Sequence, residues 1–210
     1  MITSTIAASF IAFTSISSLQ PEAATDWAQL AYGSNMEFLI KRNGKEVGSH
    51  TVTFDNSEDQ TIVQSSTSIK VKFLFITAYS FKYDAKETWI NEKLVSVESK
   101  TKDGSDESAF YKIFKEEEFL FPTNHWNPNV LAENAVYNTI TGKKNSISIK
   151  SNDWELLPTG VGARKAQRYD YSGDLKDVSA WYDEKGRWVG LRFKARDGST
   201  ITYECKRCSA

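Results

Sequence analysis

Between Val178 and Cys205 the chain reads V-S-A-W-Y-D-E-K-G-R-W-V-G-L-R-F-K-A-R-D-G-S-T-I-T-Y-E-C, and no other stretch constrains the fold as tightly. Val189, Leu191, Phe193 and Ala195 alternate with Gly190, Arg192 and Lys194, while Ile201, Tyr203 and Cys205 alternate with Thr202 and Glu204. An apolar set that recurs every second residue marks a strand with one buried face. The turn then fixes the register. A two-residue loop at Asp197-Gly198 places Phe193 opposite Thr202 and Leu191 opposite Glu204. A three-residue loop, Arg196-Asp197-Gly198, sets Phe193 opposite Ile201, Leu191 opposite Tyr203 and Val189 opposite Cys205. Only the second register puts both apolar sets on one face, and it gives Gly198 the left-handed position that glycine fills without a steric penalty. By the same argument a four-residue loop, Asp183 to Gly186, sets Tyr182 opposite Arg187, Ala180 opposite Val189 and Val178 opposite Leu191. Trp181 and Trp188 then face each other on the other side, as a cross-strand aromatic contact or as one wall of a binding site.

The upstream chain repeats this pattern. Met36, Phe38 and Ile40 join Gly48, His50, Val52 and Phe54 on one face if Arg42-Asn43-Gly44 forms a three-residue loop, which also places Gly48 opposite Phe38. The alternative Asn43-Gly44 turn is chemically good but splits that set. Thr61 to Ile90 holds no Gly or Pro and is too long for one strand, so a bend is expected within Phe75 to Ala78. Val63, Ile69, Val71, Phe73 and Phe75 share a parity that Tyr79, Phe81, Tyr83 and Trp89 continue. Asn91-Glu92-Lys93 turns the chain, and Lys82, Lys86, Glu98 and Lys100 form a solvated outer face of this pair. Further strands are read at Ser108–Lys115, Glu118–Phe121, Ser146–Asp153 and Ala163–Tyr171. Asn127-Pro128 starts the one expected helix, to about Glu133, with Asn as cap and Pro in the first turn.

The fold class that follows is all-β: a single strongly curved antiparallel meander, an open barrel-like sheet of roughly ten strands with one short helix. A chain of 210 residues with 13% aromatic side chains can build one sizeable core of this kind. Its formal net charge of −1, with no basic run or stripe, argues against a nucleic-acid partner. Residues 1–24 are expected to be a signal peptide and residues 25–210 a single antiparallel β domain. Ile2 to Ile16 is uncharged, apolar and too short for a comfortable membrane span. No basic residue precedes it and Glu22 interrupts the cleavage pattern at Ala23-Ala24; a buried N-terminal helix is the competing reading. No later segment could span a bilayer as a helix. The expected location is periplasmic or secreted.

Candidate chemistry is sparse. Cys205-Lys-Arg-Cys208 is a C-x-x-C motif at the end of a strand, and in an oxidising compartment a local disulfide is expected. A thioredoxin-like site needs the motif at a helix start, and a zinc site needs two more ligands, for which only His50 and His125 exist. His125 lies on a loop between Asn124 and Trp126, where functional side chains concentrate but structural ones also occur. No nucleophile elbow, phosphate loop or dinucleotide fingerprint is present. No catalytic residue, metal or cofactor is assigned.

Several segments together resemble a known family. They are Gly44-Lys-Glu-Val-Gly-Ser-His50-Thr51, Trp89 ahead of Leu94, Thr123-Asn-His-Trp-Asn-Pro128, the run Trp181 to Phe193, and Asp197-Gly-Ser-Thr-Ile-Thr-Tyr203. From about Met36 to Tyr203 the chain is similar to a family of exported bacterial proteins defined as a domain of unknown function, whose ending differs from Glu204–Cys208. That family brings no activity or site residues. In architecture the expected meander is similar to the open half-barrels of envelope lipoprotein and lipid carriers, which implies nothing about function by itself.

The favoured functional expectation is a non-enzymatic binding or carrier module for an apolar or lipid-like ligand. Its expected lining is Phe73, Phe75, Tyr79, Phe81, Tyr83, Trp126, Trp181 and Trp188. Large apolar surface beyond what a registered core needs marks a site in a soluble protein. The alternatives are a structural or interaction protein using a sheet edge or the Trp181/Trp188 face, and an enzyme centred on His125.

Overall fold

The computed structural model describes residues 24–57, 60–73, 76–115 and 120–208. The expected signal peptide, except its last residue Ala24, therefore lies outside the described residues. Helix α1 (Ala24–Tyr32) is followed by strands β1 (Asn35–Arg42), β2 (Lys45–Asn56), β3 (Thr61–Phe73), β4 (Ile76–Ile90), β5 (Lys93–Asp103), β6 (Asp106–Ile113), β7 (Ala135–Tyr137), β8 (Lys144–Thr159), β9 (Gly162–Gly173), β10 (Val178–Asp183), β11 (Trp188–Lys194) and β12 (Thr200–Arg207). They form one antiparallel sheet in the order β6-β5-β4-β3-β2-β1-β12-β11-β10-β9-β8-β7. Two meanders are thus joined where the first and last strands pair, Phe38 opposite Cys205 and Ile40 opposite Tyr203. The sheet has twelve strands rather than ten. The three-residue β7 is too short to leave a periodic signature. Leu120 and Phe121, read as part of a strand, lie outside any strand.

The two edge strands, β6 and β7, share no backbone ladder. Side chains bridge them: Tyr137 meets Phe110 and Phe114 at ring distances of 5.5 and 5.0 Å, and Ser99 Oγ donates to the Thr139 carbonyl at 2.5 Å. The described part of the segment between the edges, residues 120–134, passes through the interior. Asn127 caps a 3₁₀ turn, Pro128–Ala132, by accepting from the Asn129 amide at 3.0 Å, as Asn-Pro implied. Trp126 and Val130 from this segment are buried.

Helix α1 was not expected, because its short pattern sits beside the presumed export segment. Its Ala28 and Tyr32 are buried one turn apart. The Tyr32 hydroxyl accepts from the Trp188 amide at 2.7 Å and donates to the Trp126 carbonyl at 3.0 Å. The helix is thereby tied to both the crossing segment and β11.

Two turns correct the register expectations, and both involve a β-bulge. The β1–β2 turn is the two-residue Asn43-Gly44, with φ of +49° and +81°. A register shift beyond Ile40 then restores the face: Ile40 pairs with Gly48, Phe38 with His50 and Met36 with Val52. One extra residue in β2 reverses its parity, so a good turn and a good apolar face coexist. Gly48 is required by a close backbone approach, not by Phe38. A β-carbon there would lie 1.9 Å from the Ser68 carbonyl oxygen. In β10–β11, Ala180 pairs with Leu191 and Trp181 with Gly190, but Tyr182 pairs with Trp188. Val189 is the extra residue. The bulge sends Trp188 inward with Tyr182 and leaves Trp181 on the outer face, so the two indoles do not face each other.

The last hairpin has the expected register, Phe193 opposite Ile201 and Leu191 opposite Tyr203, with Gly198 at φ +78°. In the β3–β4 hairpin Phe73 pairs with Ile76, so the chain has reversed by Ile76, within the expected Phe75–Ala78 bend. Cys205 and Cys208 are joined by a disulfide, with Cα atoms 5.9 Å apart.

Candidate ligand cavity and its polar floor

The interior of the sheet is stratified, and the strand registers show why. Along the inner parity of β3 come Val63, Ser65, Thr67, Ile69 and Val71; along β4, from the opposite direction, come Trp89, Glu87, Ala85, Tyr83, Phe81 and Tyr79. Thr67 also pairs with His50 of β2. Read across the sheet, these rows give four layers: a packed apolar base, a polar floor, an aliphatic and aromatic wall, and a charged rim.

The base is filled. Trp89 packs edge-on against Trp126 at 5.4 Å, Trp126 meets Phe54 at 5.5 Å, and Phe54 stacks on Tyr32 at 5.7 Å. Glu87 is buried among them at 1% exposure. Its carboxylate accepts from Trp89 Nε1 at 3.0 Å, from Trp126 Nε1 at 3.4 Å and from the Asn124 side-chain amide. Burial pushes its pKa up to about 7, against the pull of those three donors. The carboxylate fastens the crossing segment to β4.

Above this base a cavity of about 790 Å³ opens toward the hairpin tips. Its floor holds both histidines of the chain. His50 Nδ1 lies 2.8 Å from Thr67 Oγ1, and His125 Nδ1 lies 3.4 Å from the Tyr171 hydroxyl. Burial lowers His50 to about 3 and His125 to about 4, so both rings are neutral at pH 7. Trp188 stands between them, with ring distances of 5.7 Å to His50 and 5.4 Å to His125. The Tyr83 hydroxyl and Thr139 Oγ1 are 2.5 Å apart. The wall is formed by Ile69, Val71, Phe81, Leu191, Phe193 and Ile201. At the rim Arg42 pairs with Asp197 at 2.6 Å, and Tyr79 donates to Asp103 at 2.7 Å.

Of the residues expected to line a ligand site, Tyr79, Phe81, Tyr83 and Trp188 line this cavity. Trp126 does not: it is fully buried in the base below the floor. Trp181 does not either, because the bulge leaves it outside. There its Nε1 donates to Glu155 at 2.9 Å, beneath the long β8 strand, and Arg192 lies over its ring at 5.2 Å. Trp181 and Trp188 are 4% and 2% exposed, so neither offers a docking face. Phe75 lies outside the described residues, as does the side chain of Phe73. Thr67, Ser65, His50 and Glu87 were not assigned a role from sequence. The signal was there: each is polar on a parity otherwise apolar.

Among the described residues no cluster of His, Cys, Asp or Glu could hold a metal ion, and no helix is long and apolar enough to cross a membrane. The fold is similar to a solved structure, a β-barrel-like protein of the domain of unknown function DUF1849 from Brucella abortus. Identity is 8%, coverage is 83% of this chain and 96% of that one, and the TM-score is 0.50. No curated protein matches the chain. The family model described as Domain of unknown function (DUF6134) matches residues 38–206, from the buried Phe38 of β1 to the end of β12, and the chain belongs to that family.

Proposed function

We propose that this protein is a non-enzymatic binding or carrier module that holds an apolar ligand inside the sheet. The observation that carries the reading is the upper half of the interior, which the described residues leave unfilled. A cavity of about 790 Å³ has an apolar wall and a few convergent polar groups, which is the usual make-up of a small-molecule site. Apolar walls left in contact with water are costly unless something covers them. Export to the periplasm or outside the cell forms part of the same proposal. It is supported by the uncharged apolar run Ile2–Ile16 and by the Cys205–Cys208 disulfide.

The test is fluorescence enhancement of N-phenyl-1-naphthylamine, a neutral apolar probe, with purified protein. Saturable binding is expected, with at least a tenfold loss in Ile69→Glu, which puts a charge into the wall. Absence of saturable binding, or equal binding by Ile69→Glu, would sink the carrier reading.

A further inference from the structure

The polar floor has no part in holding an unspecific hydrocarbon, and its chemistry narrows the ligand class. Every group presented there is an uncharged hydrogen-bonding group. His50 uses Nδ1 toward Thr67 and His125 uses Nδ1 toward Tyr171. The second ring nitrogen of each is engaged by no protein group among the described residues. Ser65 Oγ, on a residue 4% exposed, is buried without a hydrogen-bond partner and lines the cavity. A buried hydroxyl without a partner is unusual, because desolvation is then uncompensated.

The charges that line the cavity stand at the rim, and each is engaged. Arg42 pairs with Asp197 and donates to Ser199, Arg196 lies 3.7 Å from Asp103, and Lys194 donates to Thr200. Among the described residues no cation stands at the floor to compensate a buried anion, and Glu87, bonded to Asn124 in the base, is itself acidic. A carboxylate or phosphate head would be stranded there. A cationic head would meet desolvated histidines and no free carboxylate.

Resting on the carrier reading above, we infer that the ligand is a neutral amphiphile, an apolar chain or ring system that enters head first and places a hydroxyl or carbonyl group against His50, Ser65 and His125 at the floor. Its body then lies along Ile69, Phe81, Phe193 and Ile201, and its tail points to the rim. The neutral state of both histidines at pH 7 is consistent with this, since each can offer either a ring N–H or a ring nitrogen lone pair according to tautomer.

The inference is tested by isothermal titration calorimetry of the delipidated protein at pH 8 with 1-decanol, decanoate and decyltrimethylammonium. Decanol is expected to bind at least tenfold more tightly than either ion. His50→Leu is expected to reduce that preference to less than threefold. Thr67→Val, which removes the hydroxyl that orients His50 and also meets Tyr203, is expected to reduce it partly, and it serves if His50→Leu does not fold. Decanoate or decyltrimethylammonium binding as tightly as decanol would overturn the neutral-head inference and leave the apolar cavity reading standing. A preference for decanol unchanged in both variants would show that the floor does not read the head. Failure of all three ligands to bind would remove the carrier reading and this inference with it.

Discussion

The two halves of the interior are built from the same strands, yet they behave as different materials. In the lower half Trp89, Trp126, Phe54 and Tyr32 fill the space through edge-on and stacked ring contacts, and α1 with the crossing segment supplies the filling. In the upper half, among the described residues, nothing outside the sheet fills the space above the floor and mouth supplied by Thr123, Asn124, His125, Thr139 and Ile140, and Ile69, Phe81, Phe193 and Ile201 look across open space. The sheet is equally regular in both, so sheet geometry does not decide between core and cavity. What decides is whether a non-sheet segment reaches that depth. Large apolar side chains occur in both halves and do not by themselves identify the cavity; the band of polar residues between them marks the boundary.

The largest expected effect tests the packed half. Trp126→Ala should cost about 4 kcal/mol in denaturant unfolding, because a fully buried indole and its contacts are lost. A cost below about 1 kcal/mol would show that the lower half is not tightly packed. Its counterpart in the open half, Phe81→Ala, should cost only about 1.5 kcal/mol, because its ring already faces a cavity, and should weaken probe binding instead.

Next in size is a pH effect that separates base from floor. Glu87, raised to about 7, favours the fold in its protonated form. Its contribution is full below the unfolded value of 4.5 and is lost as pH rises through 7. Glu87→Gln does not titrate, so relative to wild type its stability should improve by about 3 kcal/mol between pH 4.5 and pH 8. The floor runs the opposite way. His50 and His125 are depressed, so their contribution is present above pH 6.5 and is lost as pH falls toward 4 and below. Acid unfolding should therefore be steeper in Glu87→Gln than in wild type. Parallel stability–pH curves for the two proteins would mean that Glu87 is ionised in the fold at ordinary acidity.

The smallest effect lies at the rim. Gly198 holds φ +78° with no atom near its missing β-carbon. Gly198→Ala should therefore cost about 1 kcal/mol through backbone strain alone and leave probe binding unchanged. A neutral substitution would show that the loop relaxes freely.

Alternation alone determined the all-β class, the inner faces of β1, β2 and β12, that of β11 beyond its bulge, and the register at Gly198, because a period of two and a local turn are both encoded in neighbouring residues. It also placed Tyr79, Phe81 and Tyr83 on the cavity side. Bulges lay beyond its reach. One extra residue at Val189 turned Trp188 into the floor and left Trp181 outside, and nothing in the local pattern distinguishes a bulged strand from a straight one with a different loop. Trp126 looked like a ligand contact because its loop position gives no depth. Only the tertiary structure decided that depth. The pairing of β1 with β12 brings the first and last strands together, and residues 120–134, between the edge strands β6 and β7, cross the interior, where they help fill one half. Contacts between residues so far apart in sequence depend on which strands become edges, and that is a property of the whole sheet, not of any stretch within it.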